Sequence, residues 1–135
     1  MRIWGWTTAA AGLVAAVFVL GSAPARAHHS ASAVYDTSRE LSLSGTLVSM
    51  RDMNPHSFWK VLAKGADGQP ETWDFEGVGV AALRRQGVAI RDQIRPGETY
   101  VFYYGPAWKL PHAGLLSAIE IGGRKVAFMK LTGVE

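Results

Sequence analysis

The sequence predicts an all-β domain with one short helix, on three observations. Apolar and polar residues alternate along five or six short segments, Gly- and Pro-containing turns separate those segments, and one interval after the third switches to helical spacing. The chain has 135 residues and no cysteine, so it folds without disulfides, thiolate metal sites or thiol catalysis.

The chain is expected to open with a leader. Arg2 precedes an apolar run from Trp4 to Leu20, and Ala25-Arg26-Ala27 supplies a small-x-small site just after Pro24. Residues 1–27 are therefore expected to be a cleaved signal peptide, with cleavage after Ala25 as the alternative frame. The competing reading is an uncleaved anchor, but the run is short for a spanning helix of roughly 20 residues. Export to the periplasm is the expected localisation. Cleavage after Ala27 leaves 108 residues, a common size for one domain, with 12 Lys plus Arg against 11 Asp plus Glu. A body so close to neutral argues against nucleic acid as the main partner, because phosphate binding rests on accumulated positive charge.

Residues 28–40 form an N-terminal arm bearing His28 and His29. It is small and polar, without apolar period, and is expected to be extended and pinned by Tyr35. The domain proper occupies 41–135. Leu41, Leu43, Gly45 and Leu47 alternate with polar residues, and Val48 and Met50 then shift the phase, which predicts a bulge near Gly45. Asn54-Pro55-His56 is a turn. Trp59, Val61 and Ala63 share one face of the second strand, and Lys64 to Pro70 is a hairpin loop. In the third strand Trp73 and Phe75 alternate with Thr72, Asp74 and Glu76. Val80, Leu83 and Arg84 fit a helix of two or three turns closed by Gln86-Gly87. Thr99 to Tyr104 is a fourth strand, Ala107 to Gly114 a loop, and Leu115 to Phe128 a hairpin turning at Gly122-Gly123. Three strands, a helix, then two or three strands is the order of a small five- or six-stranded OB-like barrel, the oligonucleotide/oligosaccharide-binding fold.

Several motifs, taken together, carry a resemblance: Ala27-His28-His29-Ser30, Leu43-Ser44-Gly45-Thr46-Leu47, Asn54-Pro55-His56, Trp73-Asp74-Phe75-Glu76 and Leu83-Arg84-Arg85-Gln86-Gly87. The chain resembles a family of small exported bacterial proteins of unknown function with a His-His-Ser mature N-terminus and an Asn-Pro-His motif. The resemblance implies an envelope location and a compact β fold, and brings no activity. The chain departs from it at Arg51-Asp52-Met53, where an aromatic is usual, and at Val88, where a tryptophan commonly stands.

The histidines carry the sharpest chemistry. With His28 first in the mature chain, its free amine and ring, the following amide nitrogen and the His29 ring offer nitrogen ligands in the planar arrangement that suits Cu(II). His56 is a further candidate ligand if the arm folds back. The competing readings are a solvated arm, a His56 that only caps its turn, and a His112 that is a plain loop residue. Asp74 and Glu76 share a strand face, and Ser30 and Ser57 adjoin histidines, but neither set has the third group a catalytic constellation needs, so no enzyme is expected. The expectation is a periplasmic binding protein holding copper through His28, His29 and His56. The alternative is a metal-free envelope module that takes a small ligand or protein on the barrel face and the Trp108 loop.

Overall fold

The computed structural model describes residues 30–133. The expected leader and the pair His28-His29 lie outside the described residues. Six strands, β1 (Leu41–Arg51), β2 (His56–Lys64), β3 (Pro70–Val78), β4 (Thr99–Pro106), β5 (Ala113–Ile121) and β6 (Arg124–Ala127), run with three short helices, α1 (Ala31–Val34), α2 (Val80–Arg85) and α3 (Ile90–Gln93). The sheet order is β3-β2-β1-β4-β5-β6, and a parallel pairing of β3 with β5 closes the first five strands into the OB-like barrel. The sixth strand hangs on β5 outside the closure.

Strand β1 makes the closure possible by serving two neighbours. Leu41 to Thr46 pair with β4, Gly45 to Arg51 pair with β2, and a bulge between Leu47 and Ser49 bends the strand where it changes partner. The bulge turns Val48 outward and returns Met50 to the core side. It was expected at Gly45, whose role is different: a Cβ there would stand 2.5 Å from Val61 Cγ1 and 2.9 Å from the Leu62 carbonyl oxygen. Gly45 lets two strands approach.

The β2–β3 hairpin is in continuous register from His56 opposite Val78 to Lys64 opposite Pro70. Its inward residues Trp59, Val61 and Phe75 meet Phe102, Leu116 and Phe128 in the core. Trp59 Nε1 donates to Ser57 Oγ at 2.8 Å, and Ser57 Oγ donates to the Val78 carbonyl at 2.8 Å, whereas the buried Trp73 Nε1 has no hydrogen-bond partner among the described residues.

The expected single helix is three short ones. Helix α2 has six residues, buries Leu83, and stops where Gly87 takes φ 76°, so it is shorter than two turns. The chain then tucks in Val88 and Ile90 and starts α3. The arm, expected to be extended, forms one turn at Ala31–Val34, closed by the Tyr35 amide on the Ala31 carbonyl at 2.8 Å. A single turn needs no apolar period. Gly122 and Gly123, at φ 56° and 75°, make the expected tight hairpin. Among the described residues, no helix is long and apolar enough to cross a membrane.

Candidate functional site

The site begins at the turn before β2. Asn54 Oδ1 accepts the Ala81 amide at 3.0 Å and the Met53 carbonyl accepts the Val80 amide at 3.1 Å, so the turn supplies partners to the open end of α2. Gly79 is required there, because a Cβ would lie 2.6 Å from the Pro55 carbonyl oxygen. The turn is thereby fixed, and it sets where β2 starts. Ser57 points into the barrel, so its neighbour His56 points out, with 52% of its side chain exposed.

Outward residues of β3 meet it across the hairpin. Glu76 is paired with Phe58, which places it diagonally from His56 on the same face. His56 Nδ1 lies 2.6 Å from Glu76 Oε1, and the Tyr35 hydroxyl donates to Glu76 Oε2 at 2.7 Å. Burial, the hydrogen bond to Glu76 and the charge of that carboxylate push the Tyr35 hydroxyl above its ordinary value. It therefore remains a donor across the neutral range. A carboxylate beside Nδ1 leaves the Nε2 edge of the ring as the one open to a ligand.

The third member of this relay belongs to the arm, which is docked. Tyr35 bridges to Ala107, the Asp36 amide donates to the Pro106 carbonyl at 2.8 Å, and Trp108 gives its backbone N–H to Val34 and its indole N–H to Ser32. Asp36 is buried and accepts from Ser38 and Arg39; the Ser38 hydroxyl first, then the Arg39 guanidinium, hold its carboxyl below the usual range against the opposing effect of burial. Trp108 is 56% exposed, yet its polar edge holds the arm.

Of the three candidate metal ligands, His28 and His29 lie outside the described residues, and His56 sits against Glu76 and Tyr35. Of the two residues expected to cap this turn, Asn54 accepts a backbone amide, while His56 Nδ1 lies against the Glu76 carboxylate. His112 is elsewhere, its ring centroid 5.1 Å from that of Trp73 and its Nε2 3.4 Å from Glu71. Among the described residues, no group of three or more His, Cys, Asp or Glu side chains forms a metal site. Asp74 and Glu76 do share a face, but Asp74 is tied to Lys60 at 2.6 Å and Glu76 to His56. Sequence reasoning missed Glu76 as the partner of His56. Pairing the strands outward from the loop at Gly65–Gln69 would have found it.

A family model described as a family of unknown function (DUF6152) matches residues 16–116. The chain belongs to that family. No curated protein matches the sequence. The fold is similar to a solved structure of the mitochondrial single-stranded DNA binding protein Rim1 from S. cerevisiae, with 11% identity and a TM-score of 0.46 over 62% of this chain and 93% of that one.

Proposed function

We propose that this member of the family is an exported Cu(II)-binding protein of the bacterial envelope. Its ligands are the mature N-terminal His28 and His29, joined by His56. The observation that carries the reading is the His56–Glu76–Tyr35 relay. It sets an exposed imidazole with a carboxylate behind Nδ1, the usual support for a metal-ligating histidine, and ties that carboxylate to Tyr35 of the docked arm. His29 is six residues before Tyr35 in the sequence. Nitrogen ligands from a free amine, an amide and imidazoles favour Cu(II) over harder divalent ions. Binding, and not catalysis, is the role this supports.

The test is the intact mass of the exported protein, sprayed with and without one equivalent of Cu(II). The expected species starts at His28 and keeps one copper against a competing chelator, and a His28→Ala/His29→Ala chain keeps its fold while losing that copper. Retention of the leader, or loss of copper to a weak competitor, would contradict the proposal.

A further inference from the structure

Beside His56 the outer face of β1, β2 and β3 holds a groove of about 390 Å³, within the range of small-ligand sites. Its floor follows the strand register. Arg51, Phe58 and Glu76 form one row across the three strands, and Ser49, Lys60 and Asp74 form the next. Tyr35 of the arm and Leu110 of the β4–β5 loop contribute further lining. Phe58 is 45% exposed and Leu110 is 63% exposed. An exposed ring and an exposed branched side chain in one groove, rimmed by charges, mark a place where an apolar body can be covered.

The charges in the groove are unequal. Lys60 is neutralised by Asp74, and Glu76 is engaged by His56 and Tyr35. Arg51 differs: among the described residues it forms no ion pair, and its guanidinium carbon lies 5.9 Å from the centre of the Phe58 ring with Nη2 on Met53 Sδ. A guanidinium without a carboxylate is a fork for two parallel hydrogen bonds to a planar anion. With Asp74 balanced by Lys60, the Glu76 carboxylate across the groove repels a second negative charge on the ligand. That selects a monoanion. Crossing from β1 to β3 covers about 10 Å, two strand spacings, enough for a carboxylate, a short linker and a ring.

We infer that this groove is a binding site for a small monocarboxylate with an apolar or aromatic body, its carboxylate on Arg51 and its body over Phe58 toward Leu110. The site includes none of the three proposed copper ligands, and it shares Glu76 and Tyr35 with the support behind His56. Metal-free mature chain, labelled with ¹⁵N and kept in excess chelator, is titrated with phenylpropionate, phenylpropanol and inorganic phosphate. Phenylpropionate is expected to shift the amides of Arg51, Phe58, Lys60 and Leu110 saturably, with the alcohol and phosphate weaker by about tenfold or more. Arg51→Gln and Phe58→Ala should each weaken the acid by about tenfold, and Arg124→Gln on β6 should leave it unchanged. Arg51→Lys, which keeps the charge without the fork, should bind between wild type and Arg51→Gln and guards against a folding defect in the latter. Equal binding of acid and alcohol, shifts centred elsewhere, or an Arg51→Gln chain that binds as wild type would overturn the inference. Because copper is absent throughout, neither result bears on the metal proposal.

Discussion

The inward and outward faces of the β2–β3 hairpin are built from alternate residues of the same two strands, and they differ in nearly every physical property. Inward, Trp59, Val61 and Phe75 are almost wholly buried and their one polar chain, through Ser57, is satisfied. Outward, His56, Phe58, Lys60 and Asp74 are exposed and Glu76 is half-buried under the arm. A period of two residues thus separates stability from recognition. It follows that neighbours in sequence should respond oppositely to substitution.

The largest break in that comparison is Trp59→Ala, which removes an inward aromatic. It should cost about 3–5 kcal/mol, read as a drop in the denaturation midpoint. Its neighbour Phe58→Ala should leave the midpoint near wild type.

Gly105→Ala comes next and tests the link between arm and barrel. A Cβ at Gly105 would stand 2.7 Å from the Asp36 carbonyl oxygen, so the docked arm must move; the overpacking should cost about 1–3 kcal/mol. Faster tryptic cleavage after Arg39 would show that the arm, and not the barrel, has loosened.

Acid sharpens the same link. The folded carboxyl values of Asp36 and Glu40 are both lowered, Asp36 by the Ser38 hydroxyl and Arg39, and Glu40 because Lys125 and Ser117 outweigh an opposing burial effect. A depressed value gives stability that is present above the unfolded carboxylate range and lost as pH falls through the folded value. The thermal midpoint should therefore hold from neutrality to about pH 5 and fall below about pH 4. Asp36→Asn should lower the neutral midpoint and flatten that fall. The smallest effect belongs to Lys60→Gln, whose exposed pair with Asp74 should be worth no more than about 1 kcal/mol. A larger loss would mean the outer face is structural after all.

The fold was legible because alternation runs cleanly through β2 and the inner part of β3, and the Gly- and Pro-containing segments at 54–55, 65–70, 96–97 and 122–123 mark turns that the structure makes at those places. The bulge was misplaced by three residues because Gly45 and Val48 both disturb the pattern, and only the packing of Val61 against Gly45 distinguishes a close approach from an inserted residue. The helical turn of the arm was invisible because what holds it is distant in sequence, chiefly Trp108. The candidate site was half legible. His56 stands out by residue type, whereas Glu76 and Arg51 are ordinary strand charges until register puts one beside an imidazole and leaves the other over a ring, with no ion pair among the described residues.

Under the copper proposal, the outer face presents His56, backed by Glu76, as a metal ligand beside the arm. Competition measurements of Cu(II) affinity on the mature wild-type chain, His56→Ala and Glu76→Gln test it most directly, with thermal midpoints taken in parallel. Copper should bind more weakly to both variants, with Glu76→Gln down by about 10- to 100-fold and the metal-free midpoints close to wild type. Equal copper affinity in all three chains would contradict it, and would return His56 to the role of an exposed residue at a turn.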